Sequence, residues 1–531
     1  MLKLVLGASG SGKTTLLYAR IRARAEAGKR SILLVPEQFT SSTEARIYRE
    51  LGDALSGMVE SYSFTSLAEH ILAVEGGAAV QTLTDAGRAV LVRRALEELQ
   101  DNVHYYYRHR RSAAFCQMAA ETIDELKSAG LSGQQLQELA RDCGSESAKL
   151  GELALIFQGY ESLLAGTGMD PADRLELAAD RLEAALARDE LPDFLREREV
   201  FIDEFDTFNV PKKRLMGAML AALPAVTVAL CEDGAPMQPG DLELFSGAKQ
   251  VAAQLRQLAR KNGAQVAAPE LLRRDLRHKD APGLAALTEL LETGSCTPPE
   301  SAPELRLFAA ASREEEARCA AAAIRRLMRQ GVRCGKIAVV CRDISLYRAA
   351  VRYEFRMAEI PLYCDEPTTP EFSAPATAVR ALLALLRGAD MTEQLTVLAK
   401  TGLCDLTEPE VCALENYAYT WSPNAAAWRA EFTKSPRGFG DAELTEEDTL
   451  NLTRAENARK KLVTAVDTLR GKVRSANAEQ ISRALYFCLK ELGAEGQQAA
   501  QVEDIRTARG IPAAEEAARE WNVVMQLLDE M

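Results

Sequence analysis

Short apolar runs alternate with stretches of helical periodicity at the start of this chain. Leu2–Leu6 is mostly apolar with little alternation, as a strand covered on both faces requires. Thr15–Glu26, rich in Leu, Ala and Arg, predicts a helix. Ser31–Val35 and Val59–Phe64 predict further strands, and Thr65–Ala73 starts another helix. From about Gln81 to Arg188 the pattern changes. Asp85–Leu99, Ala113–Ser128, Ser147–Ala165 and Ala172–Ala187 all have helical periodicity, with no strand run among them. Strands resume at Glu199–Ile202 and Ala225–Cys231, followed by a Gly- and Pro-rich loop at Asp233–Asp241. Ala264–Pro303 holds several prolines and mixed charge and predicts a linker. A second α/β pattern follows: strands at Leu305–Ala309 and Ile337–Cys341, a helix at Arg313–Gln330 and another ending at Met357. From about Ala374 to Met531 the chain reads as nearly all helix.

These elements predict an α/β fold. Residues 1–75 and 195–300 form a parallel-sheet domain, interrupted by a helical insertion over 76–194. Residues 301–373 form a partial second α/β domain, and 374–531 a second helical insertion.

Composition narrows the partners. The chain has 531 residues, enough for roughly three or four domains at ~150 residues each. Its 47% apolar content is ordinary for globular protein. A net charge of −13 excludes a general polycation, so any nucleic-acid contact must use local basic patches. The 11 cysteines form no C-x-x-C pair and no zinc spacing, which points to reduced thiols in a cytoplasmic protein. No apolar run approaches ~18 residues, so no membrane span is expected.

Gly7–Thr14 reads G-A-S-G-S-G-K-T, a complete G-x-x-x-x-G-K-[ST] phosphate loop between a predicted strand and a predicted helix. Gly7, Gly10 and Gly12 let the backbone, together with Ala8, Ser9 and Ser11, turn its N–H groups toward a phosphate chain. The helix N-terminus adds partial positive charge. Lys13 would reach the β- and γ-phosphates of ATP, and the Thr14 hydroxyl would ligate Mg²⁺. The strand Glu199–Ile202 ends in Asp203-Glu204, which supplies one carboxylate to the Mg²⁺ shell and the next to an attacking water.

Other segments have a functional and a structural reading. His104–Arg111 (H-Y-Y-Y-R-H-R-R) offers rings for bases and guanidinium groups for phosphates; the competing reading is a helix with buried tyrosines and solvated arginines. Arg273, Arg274, Arg277 and Lys279 form a basic run diluted by Asp275 and Asp280, and read as solvated linker. Trp421 and Trp428 read as core.

The layout resembles UvrD-like superfamily 1 helicases, whose D-E-x-Q-D signature is similar to D-E-F-D-T at Asp203–Thr207. Within them the chain is similar to the AddB subunits of bacterial AddAB helicase–nucleases. The stretches that carry this are Leu4–Thr14, L-V-P-E-Q-F-T at Leu34–Thr40, S-Y-S-F-T-S-L-A at Ser61–Ala68 and M-D-P-A-D-R-L at Met169–Leu175. Further on come K-I-A-V-V-C-R-D at Lys336–Asp343, I-P-L-Y-C-D at Ile360–Asp365 and L-E-N-Y at Leu414–Tyr417.

The resemblance implies a RecA-like P-loop fold and ATP-linked processing of double-strand DNA ends for homologous recombination. It implies a heterodimer with an AddA-type motor subunit, contact with single strands and duplex ends, and no membrane. It also implies a C-terminal nuclease with an iron–sulfur cluster, and the sequence reads as an N-terminal portion without it. Arg342 is the one motif-placed arginine available to ATP. Some features depart from the pattern. No Gln-bearing motif precedes the phosphate loop, Asp206 stands where Gln is usual, and Val226–Asp233 lacks a G-D-x-x-Q coupling motif. These departures favour nucleotide binding over efficient translocation. They leave open an inert scaffold that scans single-stranded DNA and docks the motor subunit. A small-molecule P-loop transferase fits poorly with so long an insertion before Asp203.

Overall fold

The computed structural model describes residues 1–76, 82–235, 244–364, 370–440 and 443–530. Gln81, most of the predicted loop at Asp233–Asp241, Asp365 and Met531 lie outside the described residues. The chain divides into two compact units, Met1–Phe308 and Ala309–Met531.

The first unit is built on six parallel strands: β1 (Leu2–Gly7), β2 (Ser31–Leu34), β3 (Val59–Tyr62), β4 (Glu199–Ile202), β5 (Ala225–Cys231) and β6 (Glu270–Leu272). Their order is β3-β2-β4-β5-β1-β6. Leu4 pairs with Val228, and Leu33 with Phe201. The strands lack alternation because each face has its own core. Leu4, Leu6, Ile32, Val200 and Val228 pack under the helices Phe64–Glu75, Val210–Ala222 and Ser246–Lys261. Val5, Leu33, Phe201 and Ala229 pack under α1 (Lys13–Glu26) and α2 (Thr40–Leu51). A parallel sheet buried on both faces gives this pattern.

Two neighbouring expectations change. The predicted linker Ala264–Pro303 contains β6, which pairs with β1, and a helix at Pro282–Thr293. A three-residue strand has too few positions to show a period, and the prolines concealed the helix, whose Pro282 occupies its first turn.

The helical insertion forms between β3 and β4 with its own core, including Leu96, Ile123, Phe157 and Tyr160. Asp170 ties it to the sheet domain. This buried carboxylate stands at the N-cap of the helix Pro171–Ala187, which packs in the core against the sheet. It accepts from Lys127 Nζ at 2.7 Å and from the Tyr160 hydroxyl at 2.6 Å, both donors lying in the insertion. Asp173 accepts from the same ammonium at 2.8 Å. Burial alone would lower the Lys127 pKa, but the two carboxylates outweigh it and raise it.

The second unit is helical. Ala374–Leu386, Met391–Lys400, Glu408–Trp421, Glu446–Lys472 and Ala478–Glu491 enclose one core. Trp428 is fully buried there, its indole N–H donating to Thr392 at 2.9 Å, and Trp421 is half-buried. The strands predicted at Leu305–Ala309 and Ile337–Cys341 do not form among the described residues. An apolar run can specify extended chain, but a strand also needs a hydrogen-bonded neighbour. Neither segment has one among the described residues, and Leu307 and Val340 remain 98% and 90% exposed. The helices Arg313–Arg329 and Ile344–Met357 do form and pack through Ala321, Ile324, Val351 and Phe355.

Removing one partner of a buried charge pair typically costs about 3–5 kcal/mol. Lys127→Ala is therefore expected to destabilise the insertion by that order in denaturant titration, whereas Arg93→Ala, on an exposed pair with Glu97, should change little. Equal effects of the two substitutions would contradict the role given to Asp170.

Candidate functional site

Parallel strands place all their carboxyl ends on one edge of the sheet, and the predicted site residues lie there. β1 runs into Gly7–Gly12 and β4 into Asp203, with β5 between them. Gly12 has φ 92° and caps α1 in the left-handed region, which a side chain would strain. At Gly7 the constraint is proximity, since a Cβ would lie 2.7 Å from the Leu272 carbonyl oxygen of β6. Lys13 Nζ donates to the carbonyls of Gly7 and Ala8 at 2.7 and 2.8 Å, closing the loop on itself. Ser11 is buried beneath the loop, and its hydroxyl has no hydrogen-bond partner among the described residues.

Asp203 is buried and accepts the Glu204 amide at 3.0 Å, and the nearby Thr14 hydroxyl favours its ionised form. The two predicted elements thus meet directly. They open on a cleft of about 440 Å³ lined by Lys13, Thr14, Asp203 and Glu204 together with Arg46 and Arg277. Glu204 holds φ 66°, an unusual conformation for a non-glycine residue and one that concentrates at functional sites.

The electrostatics show opposed charges around a buried carboxylate, with Lys13 half-buried and Glu204 at the open side. Burial raises the Asp203 carboxyl, with Thr14 and Lys13 opposing. Desolvation and then Asp203 raise Glu204. Burial lowers Lys13, against the pull of Cys231 and Asp203. A divalent cation beside Thr14 and Asp203 and phosphates beside Lys13 would relieve all three. Among the described residues, no group of three or more His, Cys, Asp or Glu gathers to hold a metal. This donor set suits Mg²⁺, which is commonly held by one or two protein oxygens with phosphates and water completing its shell.

Two cleft arginines escaped the sequence reading. Arg46, on α2, lies 4.8 Å from the Tyr18 ring centroid and faces Asp203 and Glu204. Burial pushes the Tyr18 hydroxyl up to about 12, so the ring is a neutral shelf for that cation. Arg277, read from sequence as linker, reaches Ser9 Oγ at 3.3 Å. Asp275 organises its turn by accepting the amides of Arg277 and His278, and the Leu276 amide donates to the Gly10 carbonyl at 3.0 Å. Nothing in the sequence marked Arg277, because β6, which delivers it to the loop, is too short to show a period. Arg46 had no signal beyond its helix. Arg342 is an exposed residue of the second unit, and the cleft lining described here comes from the first.

Residues 4–288 match the family described as ADDB, N-terminal. A protein of Moorella thermoacetica, named as a subunit of an ATP-dependent helicase/deoxyribonuclease, is 30% identical over 554 residues, covering 100% of this chain and 47% of the relative. Relatives of the same name from Desulforudis audaxviator and Clostridium acetobutylicum are 30% and 25% identical, again over 100% of this chain and over 47% and 46% of their own length. The chain spans about half the length of these curated relatives.

The raised carboxyls fix the sign of a pH effect. Below the ordinary carboxylate range both groups are protonated whether folded or not, and they cost nothing. As pH rises through their elevated pKa values, the nucleotide-free fold loses stability. Asp203→Asn is expected to raise the melting temperature at pH 8 by about 2 °C, with a smaller gain near pH 4, and to abolish any Mg²⁺-dependent shift. A lower melting temperature at pH 8 with the Mg²⁺ shift intact would contradict this.

Proposed function

The chain belongs to the ADDB N-terminal family, and on that premise we propose that it is the ATP- and DNA-binding, helicase-like part of a helicase–nuclease subunit that processes double-strand DNA ends for recombination repair. Its partner in this reading is an AddA-type motor subunit. The observation that carries the nucleotide reading is the shared cleft of the phosphate loop and Asp203. The loop amides and Lys13 bind the phosphate chain of ATP. Thr14 and Asp203 hold Mg²⁺, which neutralises phosphate charge when bound. Arg277 and Arg46 face the same space and add positive charge to it. Glu204 orients water if hydrolysis occurs. Arg342 remains a candidate ATP contact.

A weaker catalytic role has its own support. Asp206 lines the cleft where the D-E-x-Q-D pattern has Gln, so a carboxylate replaces the amide of that pattern. A carboxylate cannot donate the hydrogen bonds that a Gln amide offers to a phosphate or a water, which favours binding without rapid turnover.

Calorimetric titration with Mg–ATP is expected to give saturable heats for the wild type and at least a tenfold weaker response for Lys13→Ala. Null heats for both would end the nucleotide reading. DNA-stimulated phosphate release by this chain should be weak or nil, and robust turnover blocked by Glu204→Gln would overturn that expectation.

A further inference from the structure

We propose that the loop His104–Arg111 is a contact surface for single-stranded nucleic acid, an assignment that rests on the DNA-binding part of the reading above. The loop is not the helix that the competing sequence reading requires. Its only regular element is one 3₁₀ turn, Tyr107–His109. It is held open by Glu152, whose carboxylate accepts the backbone amides of His104 and Tyr105 at 2.8 Å and of Tyr106 at 3.1 Å. That carboxylate is thereby committed to the backbone, and residues 104–111 contain no Asp or Glu.

The side chains then divide by role. Tyr106 stacks on Phe115, 5.4 Å between centroids, and anchors the loop. Tyr105 keeps 53% of its surface exposed, with the Lys149 ammonium 5.4 Å from its ring centroid. Arg110 stacks over the Tyr107 ring at 3.7 Å, a preformed cation–π pair. Arg108 and Arg111 are exposed, and no carboxylate pairs with either among the described residues. Arg93 and Arg94 on the preceding helix are by contrast each paired with a glutamate one turn on.

Unpaired guanidinium groups fit phosphodiester oxygens, and an exposed ring fits the face of an unpaired base. A duplex keeps its base faces stacked, so the ring has a use only on a single strand. In a chain of net charge −13, a local cationic surface of this kind is what an anionic polymer must find.

The test is fluorescence anisotropy of the full chain with labelled oligothymidylate and a duplex of equal length, from low to moderate salt. Arg108→Ala/Arg111→Ala should weaken single-strand binding about tenfold and reduce the slope of log affinity against log salt by about 1.4. Tyr105→Ala should weaken it about fivefold with the slope unchanged, and Tyr105→Phe should restore it. Wild-type binding with both variants unaffected would overturn this surface while leaving DNA binding intact. Equal losses on the duplex, or displacement by polyglutamate as readily as by oligothymidylate, would overturn the single-strand assignment. A wild-type chain that binds neither DNA at low salt would overturn the DNA-binding reading itself.

Discussion

The meeting of Thr14 and Asp203 in one cleft is the constraint on which the site depends. It joins residues far apart in sequence, and only the sheet can bring them together. β1 and β4 are not neighbours, so β5 must lie between them at full register, with Leu4 opposite Val228 and Val228 opposite Ile202. A slip of one residue in either ladder would turn Asp203 away from the loop and reverse both cores. The apolar packing on the two faces therefore fixes the site geometry as well as the fold.

That arrangement also places unlike charges where water is scarce. Lys13 and Asp203 are each pushed toward their neutral forms by burial, and each is partly held ionised by the other. Such a cleft is unfavourable when empty of counter-charges and favourable when a metal-bound polyanion fills it. The strained backbone of Glu204 and the Ser11 hydroxyl, unpartnered among the described residues, belong to the same region, as expected where fold stability is given up for a site. The helical insertion has a separate core, and the buried Asp170 helps attach it.

Much of this was legible in the sequence. The loop Gly7–Thr14 and the acidic pair at Asp203 carry their chemistry in short contiguous motifs, and fully buried strands announce themselves as apolar runs. Arg277 was not legible because its place depends on β6, three residues long and recognisable only by its pairing to β1. Arg46 sits on an ordinary amphipathic helix, and nothing local marks the side that meets Asp203. The segments at 305–309 and 337–341 failed in the opposite sense: their composition is that of strands, but strand formation is a property of pairs. At His104–Arg111 the composition admitted two readings. Glu152, distant in sequence, holds three successive amides there, and only one 3₁₀ turn forms.

The central claim is that one cleft grips a metal-bound triphosphate between the ends of β1 and β4. A crystal structure of the chain grown with a non-hydrolysable ATP analogue and Mn²⁺, with anomalous scattering recorded, tests it most directly. The account predicts phosphate density inside the loop Gly7–Gly12 and an anomalous peak between Thr14 and Asp203. Clear density for the analogue elsewhere, with no peak at that position, would contradict it.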